Sequence, residues 1–223
     1  MTQTQWTAVD NYINDLLILS DSALDATIQS TIDAELPQIN VAPNQGKLLH
    51  ILAQIQGARR ILELGTLAGY STIWLARALP ADGKLITLEA NLKHAEVARE
   101  NIERAGLANI VEIRIGAALD TLPQLATEGQ APFDFVFIDA DKANTPDYFT
   151  WALKLTRRGS VIIVDNVIRK GAVIDANSTD ENVQGVRKFN TLLAAEPRVK
   201  ATTIQTVGSK GYDGLAIALV VSD

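Results

Sequence analysis

The sequence predicts an open α/β fold, a mostly parallel sheet with helices packed on both faces. Three observations lead there. From Arg60 onward, short apolar runs alternate with longer segments of helical periodicity. Two of the runs, Phe135-Val136-Phe137-Ile138 and Val161-Ile162-Ile163-Val164, are aromatic or β-branched and show no polar alternation, as expected of strands buried on both sides. Each of these two runs ends in oxygen-bearing side chains, Asp139 and Asp141 after the first, Asp165 and Asn166 after the second. Strand ends are where an open α/β sheet presents its ligand crevice.

Taken in order, the chain opens with an N-terminal helical extension over residues 1–40. Val9, Tyr12, Ile13, Leu16, Leu17 and Leu19 recur at helical spacing, and Asp21-Ser22 caps a second helix bearing Leu24, Ile28 and Ile32. These helices would cover the crevice, meet a second subunit, or pack on the sheet. Ile39 to Pro43 is extended, and Pro43 suits the first turn of a third helix running to about Gly57, with a stripe of Leu48, Leu49, Leu52 and Ile55. The alternation then gives strands at Arg60 to Leu64, Lys84 to Leu88, Ile110 to Ile115 and Phe133 to Ile138. Helices at Ser71 to Leu79, Leu92 to Ala105 and Leu119 to Thr127 separate them. A helix at Asp147 to Leu155, the strand ending in Asp165, and a polar loop from Arg169 to Asp180 follow. A helix at Glu181 to Ala195 and strands at Ala201 to Thr206 and Leu215 to Val221 complete the chain. With no repeat and no interdomain linker, residues 1–223 are expected to form a single domain.

Composition narrows the function. The 47% hydrophobic and 21% charged content is that of a soluble globular protein, and no apolar run approaches the roughly 20 residues that span a bilayer. The N-terminus lacks a signal-peptide pattern, so a cytoplasmic protein with no membrane partner is expected. A formal charge of −6 argues against a nucleic-acid partner. The absence of cysteine excludes disulfides, thiolate catalysis and cysteine-based zinc or iron–sulfur sites. Both histidines, His50 and His94, fall on predicted helices away from the strand ends and read as structural.

If the strands ending at Asp139 and Asp165 are neighbours, about 4.8 Å apart, then Asp139, Asp165 and Asn166 converge with oxygen donors only. That set suits a hard divalent cation, Mg²⁺ or alternatively Mn²⁺ or Ca²⁺. At the end of the first sheet strand, Glu63-Leu64-Gly65-Thr66-Leu67-Ala68-Gly69-Tyr70-Ser71 forms a glycine turn into a helix, open to a nucleotide-like ligand. A dinucleotide site wants glycine where this chain has Leu67, which weakens a NAD reading. Glu89, ending the second strand, is placed to accept both hydroxyls of a ribose. Gly116-Ala117-Ala118 is small enough for an adenine to lie flat.

Together, the glycine turn, Glu89, Phe137-Ile138-Asp139-Ala140-Asp141-Lys142, Asp165-Asn166, Gly185-Val186-Arg187-Lys188-Phe189 and Asp213-Gly214-Leu215 resemble the cation-dependent class I O-methyltransferases. This is the group of catechol and caffeoyl-CoA O-methyltransferases, and the likeness is to its small bacterial members. The resemblance runs from about Val41 to the C-terminus. It implies a Rossmann-like S-adenosylmethionine (SAM) methyltransferase fold, a seven-stranded sheet with an antiparallel last strand after a turn at Gly211 to Gly214. It also implies a SAM site in which Glu63, Gly65 and Ser71 surround the methionine end, with Thr66, Gly69 and Asp139 also binding the cofactor. Glu89 would take the ribose, Ala117 the adenine, and Val41 would pack beside the cofactor. Asp139, Asp165 and Asn166 match the metal ligands and Lys142 the general base, with Asp139 also at the catalytic centre. A homodimer is implied, and Arg169, Lys170, Lys210 and Tyr212 would rim the pocket. The implied substrate is a small phenol with vicinal hydroxyls. A caffeoyl-CoA ester, or a SAM-binding module without catalysis, remains open as the alternative.

Overall fold

The protein is described by a computed structural model covering residues 2–222. Its centre is one seven-stranded sheet formed by β1 (Arg60–Leu64), β2 (Lys84–Glu89), β3 (Val111–Ile115), β4 (Phe133–Ile138), β5 (Thr156–Asp165), β6 (Val199–Gly208) and β7 (Gly211–Val220). The order is β3-β2-β1-β4-β5-β7-β6. Strands β1 to β5 pair in parallel, and β7 runs antiparallel between β5 and β6. The reversal of the last strand is therefore as expected. Its turn is not: β6 and β7 form a hairpin that closes at Gly208 and Gly211 around Ser209-Lys210. Gly211 to Gly214 lies inside β7, because it continues the ladder by pairing with Gly208 to Gln205 of β6.

Among the described residues eight α-helices surround the sheet: α1 (Gln3–Leu17), α2 (Ser22–Asp33), α3 (Pro43–Gln56), α4 (Tyr70–Ala76), α5 (Leu92–Arg104), α6 (Ala118–Thr127), α7 (Thr145–Leu155) and α8 (Glu181–Ala195). Strand β4 explains why both faces must be covered, since all six of its residues are buried. Alternate residues serve opposite cores, as the two-residue pleat requires. Phe135 and Phe137 pack with Leu49, Ile61 and Ile73 on the side of α3 and α4. Val136 and Ile138 pack with Leu122, Phe149 and Phe189 on the side of α6, α7 and α8. Helix α4 stops at Ala76, short of the expected Leu79, where the backbone tightens into three-residue turns ahead of Pro80.

The N-terminal helices depart most from expectation. The stripe proposed for α3 is only partly buried. Leu49 is fully enclosed, whereas Leu48 and Ile55 are exposed, and the true inner face is Gly46, Leu49 and Ala53 because the Trp74 ring lies directly over Gly46. On α1 the apolar face points away from the protein, with Val9, Tyr12, Leu16 and Leu17 all more than half exposed. What docks α1 is polar. The buried Asp10 carboxylate accepts from Asn44 Nδ2 at 2.9 Å and from the Ser209 backbone N–H at 2.6 Å. Among the described residues no helix is long and apolar enough to cross a membrane.

One charged side chain sits in the middle of the sheet. Glu63 on β1 is completely buried, and the hydroxyls of Ser71, at 2.6 Å, and Thr72 donate to its two carboxylate oxygens. It thereby ties β1 to the first turn of α4. Burial pushes its carboxyl up to about 7, against the opposing hydroxyl bonds. Because the folded-state value lies above the unfolded 4.5, its stabilising effect is complete below pH 4.5 and is lost as pH rises towards 7. Glu63→Gln should flatten the fall in melting temperature between pH 5 and 7, and an unaltered slope would contradict this account. In the core, Phe137→Ala should cost about 3–5 kcal/mol in chemical denaturation, as for other buried large-to-alanine changes; a loss under about 1 kcal/mol would show that β4 is not packed on both faces.

Candidate active site

The parallel registers fix the site. Leu64 on β1 pairs with Ile138 on β4, and Ile138 pairs with Val164 on β5. The residues that follow, Gly65, Asp139 and Asp165, therefore emerge side by side at one edge of the sheet. This is also where the strand order reverses, since β2 and β3 lie beyond β1 while β5 lies beyond β4. The approach is close: a Cβ on Gly65, whose φ is +96°, would collide with the Asp139 carbonyl oxygen. The Asp139 N–H donates to Leu64 O at 2.8 Å, holding the two strand ends together.

A cavity of about 650 Å³ opens there. One end is lined by Glu89, His94, Gly116, Ala117 and Ala118, and the glycine turn supplies Gly65, Thr66 and Leu67. The other end holds Asp139, Asp141, Lys142, Asn144, Tyr148, Asn166 and Arg169, and Val41 also lines the wall. Of the residues assigned from sequence, Val41, Gly65, Thr66, Ser71, Glu89, Ala117, Asp139, Lys142 and Asn166 are thus brought to one cavity. Glu63, Gly69 and Asp165 are not on its lining. Glu63 stands behind Ser71, Gly69 caps α4 with φ +86°, and Asp165 is buried behind Asn166.

The glycine turn is clamped from several sides. Glu89 accepts from the backbone N–H groups of Thr66 at 3.2 Å, Leu67 at 2.8 Å and Asn91 at 2.9 Å. Its carboxylate holds the turn as well as facing the cavity. Thr66 and Thr87 share a hydroxyl contact at 2.6 Å, and Asn101 Nδ2 donates to Ala68 O at 2.9 Å. Leu67 takes a left-handed φ of +48°, an unfavourable conformation for a side-chain-bearing residue that these bonds maintain.

At the opposite end the charges meet. Lys142 is buried, and its Nζ donates to Asp139 Oδ1 at 2.6 Å. Asp165 Oδ1 accepts from the Asn166 N–H at 2.7 Å and Oδ2 from Gln45 Nε2 at 2.7 Å. Burial, and then the neighbouring Asp139 charge, push the Asp165 carboxyl well above the ordinary carboxylate range. Asp141 is held by the Tyr148 hydroxyl and by Asn144 Nδ2 at 2.7 Å. Helix α8 presses on this corner so tightly that a Cβ on Gly185 would overlap the Lys142 carbonyl.

Three placements differ from the sequence reading. His94 reaches the cavity, with Nδ1 3.4 Å from Glu89 Oε1, because it lies in the first turn of the helix that leaves β2. That position was a usable signal, since first turns after parallel strands face the crevice. His50 does behave as structural, with Nδ1 3.0 Å from Trp74 O. Of the expected rim, only Arg169 lines the main cavity. Lys210 lines a separate recess of about 200 Å³ beside Asp10 and Gln45, and the Tyr212 hydroxyl donates to Gln205. Gln45 was missed altogether, having no sequence signal beyond its place in the first turn of α3.

Comparison with known proteins agrees with this geometry. A family model described as O-methyltransferase matches residues 18–219. A protein of Niastella koreensis named catechol O-methyltransferase is 58% identical over 213 residues, covering 96% of each chain. Another with that name, from Mycobacterium tuberculosis, is 51% identical over 212 residues, covering 95% of this chain and 94% of the other. The crystal structure of the O-methyltransferase from Bacillus cereus in complex with SAH superposes with a TM-score of 0.97 at 60% identity, covering 98% of this chain and 100% of that one. With the sheet order and the crevice described above, these matches make the chain a member of the O-methyltransferase family.

Proposed function

We propose that the protein transfers the methyl group of SAM to one hydroxyl of a catechol-type phenol and requires a divalent cation to do so. The observation that carries this reading is the meeting of Asp139, Lys142, Asp165 and Asn166 at the adjoining ends of β4 and β5, beside a cavity large enough for a nucleoside cofactor and a small aromatic ring. The Bacillus cereus relative is described with SAH, the demethylated form of SAM, and the two bacterial relatives are named for catechol. These descriptions support the same cofactor and substrate class here.

The donor set fits a hard cation. Asp139, Asp165 and Asn166 offer oxygen donors, and the Asp165 carboxyl, raised first by burial and then by the Asp139 charge, is in a setting that a bound cation would relieve. Among the described residues no group of three His, Cys, Asp or Glu side chains is placed to hold a metal, so the donor set rests on two carboxylates and the Asn166 amide oxygen. A bound Mg²⁺ would supply Lewis-acid polarisation of phenolic oxygen, and SAM an electrophilic methyl group. The chain's own part is to orient and to move a proton. Lys142 Nζ is placed to accept the hydroxyl proton, Asp139 fixes that amine at 2.6 Å, and Gln45 fixes Asp165 from behind. Around SAM, Glu89 would receive the ribose hydroxyls, Ala117 would lie against adenine, and Gly65, Thr66, Ser71 and Val41 would surround the methionine end, with Glu63 and Gly69 shaping the turn. Free phenols are favoured over CoA thioesters because the basic rim expected for CoA is not assembled, with Lys170 and Lys210 away from the cavity lining.

The outward apolar residues of α1, the exposed Ile55 of α3, and the exposed Ile204 and Val207 of the edge strand β6 are candidate contacts for a second copy. We therefore take the working form as a homodimer. Sedimentation should give twice the 24.1 kDa chain mass and Leu16→Glu should shift it towards the monomer; a single species at the chain mass would refute the dimer. For the chemistry, chelator should abolish methyl transfer to catechol and Mg²⁺ restore it. Asp165→Ala should lose at least about 100-fold in kcat/KM, and Gln45→Ala should weaken Mg²⁺ binding by about 10–100-fold, as partners of metal ligands generally do. Full activity of Asp165→Ala in the presence of chelator would remove the metal from the account.

A further inference from the structure

Every acidic side chain on the cavity lining has donors of its own. Glu89 takes three backbone N–H groups, Asp139 takes Lys142, and Asp141 takes Tyr148 and Asn144. The remaining charged group is Arg169, which lines the same end of the cavity as Asn166, Asp141 and Lys142. Its Nε is buried and has no hydrogen-bond partner, and among the described residues no carboxylate forms an ion pair with its guanidinium. Its field reaches the exposed Asp180, whose carboxyl is held low first by the Asn182 N–H and, in lesser part, by Arg169. A guanidinium is shaped to take a planar oxyanion with two parallel bonds, and the chain supplies no such partner for this one on the cavity lining.

The backbone presents this side chain deliberately. Asn166, Arg169 and Lys170 all have left-handed φ values, +58°, +54° and +55°. Arg169 is held there by one oxygen of Asp213, which accepts from the N–H groups of Ile168 at 2.9 Å, Arg169 at 3.0 Å and Gly214 at 3.0 Å, and Asn166 by its N–H to Asp165 Oδ1 at 2.7 Å. Such a conformation persists only where its surroundings impose it, and it occurs characteristically at ligand sites.

We infer that Arg169 is a specificity-determining residue that receives a carboxylate carried by the phenolic substrate, so that the preferred substrates are catechols bearing an acid group. This deepens the catechol reading and rests on it. The occupant is taken to be the substrate rather than the cofactor because Arg169 lies three residues beyond Asn166, after β5, whereas Glu89 and Ala117 stand at the ends of β2 and β3, beyond β1 and β4 in the sheet. A carboxylate there also offsets a charge that nothing else on the lining neutralises.

The test is equilibrium binding to the wild-type protein loaded with SAH and Mg²⁺, using 3,4-dihydroxybenzoate and catechol as a pair that differs only in the carboxylate. The wild type should bind the acid at least about tenfold more tightly, which is roughly 1.4 kcal/mol for a charge-assisted pair in a partly open site. In Arg169→Gln that ratio should fall towards one, and Arg169→Lys should keep only part of it because the planar fork is lost. Melting temperature and SAH affinity verify that the variants are folded. A wild-type ratio near one, or a ratio unmoved by Arg169→Gln, would overturn the assignment. So would an equal weakening of SAH, which would place the guanidinium on the cofactor's carboxylate. A dependence on Arg169 for coenzyme A but not for the acid would overturn it in favour of a phosphate. Failure of both compounds to bind, or to be methylated, would instead strike at the catechol reading itself, whereas methylation of catechol with no acid preference would sink the Arg169 inference alone.

Discussion

The constraint on which the rest depends is the parallel register of three adjacent strands. Leu64, Ile138 and Val164 lie side by side, so the next residue of each strand must leave the sheet at the same level. Backbone hydrogen bonding within the sheet is inflexible, and a one-residue slip would turn Asp139 and Asp165 to opposite sides. The aromatic and aliphatic residues of β4, packed into separate cores above and below, are what prevent that slip. Packing in the interior thus becomes geometry at the edge.

That geometry is expensive in charge. Burial at the sheet edge raises the Glu63 and Asp165 carboxyls above their ordinary range, and the nearby Asp139 charge adds to both. The protein offsets this in part with Lys142, Gln45 and the hydroxyls of Ser71 and Thr72. Stability given up at a cluster of like charges is characteristic of sites built to receive a cation or to move a proton. The left-handed residues at Leu67, Asn166 and Arg169 fit the same pattern, since all three border the cavity.

Much of this was legible in the sequence, for reasons that can be named. Short apolar runs without polar alternation located β4 and the buried end of β5, and the oxygen-bearing residues directly after them marked the crevice. Helix α8 was bounded correctly at Glu181 and Ala195 because Asp180 is an ordinary N-cap. What stayed hidden depended on contacts between distant segments. Nothing in the local pattern tells that α1 docks through Asp10 and leaves Leu16 and Leu17 outside, since a helix facing outward has the same periodicity as one facing inward. Gln45 became important only because α3 passes beneath Asp165, 120 positions later in the chain. His94 was misplaced by treating its helix as remote, when the first turn of that helix adjoins the end of β2.

The central claim is that one divalent cation is held between Asp139, Asp165 and Asn166 beside the cofactor. Anomalous scattering from crystals grown with Mn²⁺ and SAH tests it most directly. The account predicts a single strong peak within bonding distance of an oxygen from each of those three side chains. A peak elsewhere in the crevice, or none there from an enzyme that still methylates catechol, would contradict it.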